Sequence, residues 1–210
     1  MSYLLRFISL FFMTALWMRA EPAQKTILFF GDSITAGYGL DDPAQAFPSL
    51  IAKRIAQAGL PFRVVNAGLS GETTAGGLRR IDWVLRQPID IFVLELGGND
   101  GLRGLSPSSG EANLQAIIDK VREKSPRARI LLAGMRMPTS MGFEYTRDFA
   151  AIYPALAEKN RLILIPFLLD RVGGVPALNQ ADLIHPNAEG HAILAETVWK
   201  SLEPLLSPNK

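Results

Sequence analysis

The strongest constraint on this chain is an alternation. Five short apolar runs, "TILFF" (26–30), "FRVVNAG" (62–68), "IDIFVLELGG" (89–98), "ARILLAG" (128–134) and "RLILIPF" (161–167), each precede a segment of a different period. In those segments, 46–59, 73–87, 108–124, 143–160 and 187–206, apolar residues recur every three or four positions. Leu114, Ile117, Ile118 and Val121 fall on one face of a helix, as do Leu78, Ile81 and Leu85. Strands that are apolar throughout must be covered on both faces, so five strands alternating with helices predict a parallel sheet between two helical layers. The expected fold is a three-layer α/β/α domain with five parallel strands. Pro154 predicts a kink in the fourth helix, and Asn187 an N-cap for the last.

The first twenty residues do not belong to this pattern. Arg6 precedes an uncharged, mostly apolar stretch from Phe7 to Met18, followed by Ala20. Twelve helical residues span roughly 18 Å, against a bilayer core of ~30 Å. Residues 1–20 therefore read as a signal peptide, cut after Ala20 or Ala23, with Met18 standing where a small residue is preferred. The mature chain is expected in the periplasm or outside the cell, with one domain over 24–207 and no stable membrane insertion. Removing the leader takes Arg6 and Arg19 and no acids, leaving 20 basic and 20 acidic residues. No basic cluster longer than a pair remains, which argues against nucleic-acid binding. With no cysteine the chain offers no disulfide framework, thiol nucleophile or lipidation site.

A parallel sheet presents its functional loops at the carboxyl ends of its strands. Polar and glycine residues gather there: Gly31-Asp32-Ser33 after the first strand, Asn66 to Gly71 after the second, Gly97 to Asp100 after the third, and Asp182 to Pro186 after the fifth. Ser33 is either part of a strand-to-helix turn or a nucleophile, and a serine nucleophile needs a base. The only histidines are His185 and His191. Asp182, three residues before His185, can hold one imidazole nitrogen and aim the other at Ser33. Pro186 favours an extended His185, on a loop before the last helix. His191 falls within that helix and reads as an ordinary surface or partly buried histidine. Asp32 is suited to a structural hydrogen bond rather than to the triad. For a developing oxyanion, the backbone N–H groups of Ser33 and Gly71 and the Asn99 amide are the available donors.

Four stretches, "GDSITAGYG" around Ser33, "NAGLSGETT" around Gly71, "GGND" around Asn99 and "DLIHPN" around His185, resemble in order the four blocks of the SGNH, or GDSL-type, hydrolases. The resemblance runs through the whole chain after the leader. "LELGGNDGLRG" and "FAAIYPALAEK" are most similar to the bacterial thioesterase I/lysophospholipase L1/arylesterase branch. It implies a flavodoxin-like SGNH fold and an exported, metal-free, cofactor-free, monomeric hydrolase of broad acyl specificity. The implied substrates are small esters, thioesters or lysophospholipids. Ser33, His185 and Asp182 would be the triad, with Ser33, Gly71 and Asn99 as the oxyanion hole. The bulkier "MRMPTSMGFEY" (135–145) departs from the pattern and is expected to edge the acyl site. Two other readings stand beside this one: a carbohydrate O-deacetylase with the same triad, and a non-catalytic binding protein on the same fold. A phosphate-binding loop does not fit, because Gly77 stands where its lysine would be.

Overall fold

A computed structural model describes residues 24–207. The leader, 1–20, lies outside them. Five strands, β1 (Lys25–Gly31), β2 (Phe62–Gly68), β3 (Ile91–Glu95), β4 (Arg129–Ala133) and β5 (Ile163–Ile165), form one sheet in the order β2-β1-β3-β4-β5. All four pairings are parallel. Helices α2 (Phe47–Gln57) and α7 (Ala188–Leu206) pack together. On the opposite face α5 (Pro107–Lys124) lies between α3 (Thr74–Val84) and α6 (Phe143–Asn160). The three-layer α/β/α reading and its five-stranded parallel sheet are therefore correct.

The core is densest where the sheet is covered twice. Ile27 to Phe30 of β1 and Phe92 and Leu94 of β3 have no exposed surface. Such side chains contribute roughly 1.5–3 kcal/mol each by leaving water. Helix α6 runs through Pro154 without interruption, and Asn187 Oδ1 caps α7 by accepting the Gly190 N–H at 3.0 Å.

Two strands end well short of their apolar runs. The third ends at Glu95 rather than Gly98, because Gly97 adopts φ 119° and the Leu96 carbonyl accepts the Tyr153 hydroxyl at 3.0 Å. The fifth covers only Ile163–Ile165, since Pro166 has no N–H for a ladder. Two short helices were not anticipated: α1 (Ser33–Ala36) directly after β1, and α4 (Gly98–Leu102) after β3. His191 also departs from the surface reading. It is 1% exposed, stacks on Phe47 at 6.2 Å between centroids, and accepts the Phe47 N–H at Nδ1 over 3.2 Å. It fastens α7 to the first turn of α2.

The chain leaves β1 for β2 on one side, then crosses to β3 on the other. The crevice at such a reversal is where doubly wound sheets place their sites. Ser33 and Asn99 follow the two strands that flank it.

Candidate active site

At the end of β1 the backbone packs too closely for a side chain. A Cβ on Gly31 would strike Thr35 Oγ1 and Glu95 Oε2. Asp32 then caps α1, its Oδ1 accepting the Ile34 N–H at 3.0 Å. Ser33 is the first residue of that helix, so its N–H has no acceptor within the helix. The sharp strand-to-helix junction thus leaves both the Ser33 hydroxyl and the Ser33 amide at the sheet edge.

His185 and Asp182 arrive on the β5–α7 loop. Their i, i+3 spacing is not a helical turn: Leu183 between them is left-handed, with φ 59°. Asp182 Oδ1 accepts the N–H groups of Ile184 at 2.9 Å and His185 at 3.0 Å. Its Oδ2 lies 2.6 Å from His185 Nδ1, and His185 Nε2 lies 2.9 Å from Ser33 Oγ. With Nδ1–H donated to Asp182, the Nε2 lone pair faces the serine. The His185 backbone N–H and then its ring hold the Asp182 carboxyl down at about 2, outweighing its partial burial. It therefore stays ionised beside the imidazole. Gln180 braces the loop, accepting nothing from His185 but donating its own N–H to the His185 carbonyl at 2.8 Å.

The three expected oxyanion donors are placed differently from one another. Asn99, second in α4, donates from Nδ2 to Asp32 Oδ2 at 3.2 Å, which leaves its other amide hydrogen uncommitted by that bond. Gly71 lies in the turn after β2 at φ 79°, and its carbonyl accepts from Arg103 Nη2 at 3.0 Å. Ser33, Asn99 and His185 line a cavity of about 450 Å³; Gly71 and Asp182 do not. The cavity walls are mainly apolar, including Ile34, Leu102, Met135, Met137, Phe167 and Leu169. Of the 135–145 segment expected to edge the site, Met135 to Thr139 line it and residues 140–145 do not. Arg136 also lines it, its guanidinium 5.2 Å from the Phe167 ring.

Several supporting residues escaped the sequence reading. Glu95 is buried behind Ser33, its Oε2 accepting the Thr35 hydroxyl at 2.7 Å and the Asp32 N–H at 3.2 Å, while Oε1 has no partner. Burial, then the neighbouring Asp32 charge, pushes the Glu95 carboxyl well up. Burial also raises Asp32, against the opposing pull of the Ile34 amide and Asn99. The pair therefore retains a proton at pH values where exposed carboxyls have lost theirs. An acid inside a wholly apolar strand was the available signal for Glu95.

Two further pairs fix the Gly71 and Asn99 turns. Arg80 chelates Glu72, donates to the Ala67 carbonyl at 2.7 Å and stacks over Phe30 at 4.2 Å. Asp100 accepts the Thr74 N–H at 2.8 Å and its hydroxyl at 2.6 Å, tying the Gly71 turn to the Asn99 turn. Among the described residues, no group of three or more His, Cys, Asp or Glu side chains is arranged to hold a metal ion.

Comparison with known proteins gives concordant relatives. The family described as "GDSL-like Lipase/Acylhydrolase family" matches residues 29–193. The "Esterase TesA" of Pseudomonas aeruginosa is 43% identical over 187 residues, covering 89% of this chain and 92% of that protein. The "Thioesterase 1/protease 1/lysophospholipase L1" of Escherichia coli K12 is 39% identical over 197 residues, covering 93% and 91%. A crystal structure of TesA superposes with a TM-score of 0.82 at 43% identity, covering 87% of this chain and 100% of that one.

Proposed function

Because the chain belongs to the GDSL-like lipase/acylhydrolase family and is a carboxylic ester hydrolase, we propose that Ser33 is its nucleophile, His185 its base and Asp182 the acid that holds the base. The observation carrying this reading is the unbroken hydrogen-bonded relay from Asp182 through His185 to Ser33, with the serine opening onto an apolar cavity. In the reaction, Ser33 Oγ attacks the ester carbonyl carbon while its proton passes to His185 Nε2. The Asp182 carboxylate stabilises the imidazolium that results. The carbonyl oxygen becomes an oxyanion, received by the N–H groups of Ser33 and Gly71 and by Asn99 Nδ2. The leaving alcohol or thiol takes the proton from His185 as the carbon–oxygen or carbon–sulfur bond breaks. Water then repeats the cycle on the acyl-enzyme.

The apolar walls suit an acyl chain and favour it over the acetyl group of a carbohydrate, whose hydroxyls would find few partners there. Oxygen and sulfur esters share the acyl half that this cavity holds. We therefore read the substrates as small esters, acyl thioesters and single-chain lysophospholipids, the chemistry named for the relatives. The same reading takes residues 24–207 as one monomeric domain, exported by the leader to the periplasm or beyond.

Ser33→Ala and His185→Ala should each lower turnover of p-nitrophenyl esters by ~10⁴-fold or more, with the fold retained. A fluorophosphonate should label the parent chain and fail to label Ser33→Ala. An active Ser33→Ala enzyme, or labelling at another residue, would overturn the assignment.

A further inference from the structure

Nine large apolar side chains are exposed among the described residues, and eight of them lie in connections at the carboxyl edge of the sheet. Trp83 in α3 is the exception. Each strand contributes: Tyr38 follows β1, Leu69 β2, Leu105 β3, Phe143 β4 and Val175 β5. Random exposure of apolar residues is ordinary, but their concentration at one edge marks an interaction site. Three of the set, Leu102, Leu183 and Ile184, also line the cavity, and Tyr38 lies against the His185 ring at 4.7 Å between centroids.

The charges among these side chains select the partner. Arg103 and Arg136 have no carboxylate partner among the described residues, and neither Asp41 nor Glu144 has a cationic one. The edge thus interleaves both signs. A uniformly acidic carrier protein would meet Asp41 and Glu144 as repulsive charges. A zwitterionic headgroup layer offers a phosphate to the arginines and an ammonium to the carboxylates, and apolar tails beneath.

We infer that the carboxyl-edge ring seats the mouth of the cavity on a zwitterionic lipid surface, from which a single acyl chain is drawn inward. No described helix is long and apolar enough to cross a membrane, so this contact is peripheral. It rests on the reading of the cavity as the acyl site. Docking spares the chain a passage through water, since exposed side chains lead from the lipid to the cavity wall. Phe143, 77% exposed at the start of α6, is the most exposed of the set.

The test is sedimentation of the mature chain with phosphatidylcholine vesicles, repeated with 30% phosphatidylglycerol and at high salt. Binding to pure phosphatidylcholine is expected, changing less than about threefold with anionic lipid or salt, since apolar contact dominates. A Phe143→Ser/Leu105→Ser/Val175→Ser variant should bind at least ~10-fold more weakly, as expected for losing several buried apolar side chains. Those three residues do not line the cavity, so its hydrolysis of soluble p-nitrophenyl butyrate should be unchanged. Failure of the parent chain to sediment with phosphatidylcholine overturns the proposal. So does undiminished binding by the variant, or binding that requires anionic lipid and disappears in salt. Loss of soluble-ester hydrolysis by the parent chain would instead overturn the acyl-site reading.

Discussion

His191 makes a prediction whose size follows from its surroundings. The ring is 1% exposed, stacked on Phe47, and accepts the Phe47 N–H through Nδ1. Only a neutral ring can accept there. Burial first, and the charge of His185 second, depress its pKa from 6.5 to about 4. The unfolded chain binds this proton as pH falls through 6.5; the folded chain resists until about 4. The stability that His191 contributes is thus fully present above 6.5 and is lost toward 4. At ~1.4 kcal/mol per pKa unit the full loss is about 3 kcal/mol, and about 2 kcal/mol of it has occurred by pH 5. For a chain of this size that is a fall of roughly 4–8 °C in Tm. His191→Asn keeps an acceptor but removes the titration. Urea unfolding of both proteins at pH 8 and pH 5 isolates the term, since Asp32 and Glu95 titrate equally in both. The parent's advantage over His191→Asn should shrink by about 2 kcal/mol on acidification. A difference that stays constant across this range would refute the reasoning.

Two other substitutions probe the ground behind Ser33. Asn99→Ala should lower kcat by ~10²–10³ with KM little changed, the signature of a donor used mainly in the transition state; steady-state kinetics with a soluble ester would exclude this if kcat stayed within a few-fold while Tm fell. Glu95→Gln preserves an acceptor for Asp32 N–H and the Thr35 hydroxyl. Because the folded Glu95 pKa is raised, the parent loses stability as pH rises from the ordinary carboxyl range through that value, whereas Glu95→Gln does not. The variant should gain on the parent from pH 5 to pH 8 in denaturant titrations; no relative gain would mean that Glu95 is already ionised in the fold.

The legible parts of this chain are those with a local signal. Ile27 to Phe30 announce a doubly covered strand because each is apolar, and Leu114, Ile117, Ile118 and Val121 announce a helix by spacing. Helices α1 and α4 have four and five residues, too few to repeat a period. Ser33, Asn99, Asp182 and His185 were readable as candidate site residues because a parallel sheet collects its βα loops at one edge. The supports behind them were not. Glu72 and Arg80 look like solvated charges until Arg80 is found between the Phe30 ring and the Ala67 carbonyl. Asp100 and Thr74 are 26 positions apart, and nothing between them in sequence encodes their contact. The left-handed Leu183 likewise follows from closing the loop around Asp182, since leucine carries no preference for that conformation.

The two histidines divide the work of one functional group by environment. His185 has a carboxylate at 2.6 Å from one ring nitrogen and the Ser33 hydroxyl at 2.9 Å from the other, so its ring is tied between two polar partners. His191 has an aromatic ring and a backbone donor, so an added proton there is opposed by burial and breaks the bond from Phe47. They are also mechanically linked. His191 donates its backbone N–H to the Asn187 carbonyl at 2.8 Å, and Asn187 caps α7 immediately after Pro186 and His185. Holding α7 against α2 therefore anchors the carboxyl end of the loop that carries His185. Acid acts on this arrangement through His191, whose protonation breaks the bond from Phe47 and loosens the helix from which that loop is suspended. Esterase activity lost in this way should return only as fast as the helix repacks once base is restored after an acid pulse, and instant recovery would refute the link.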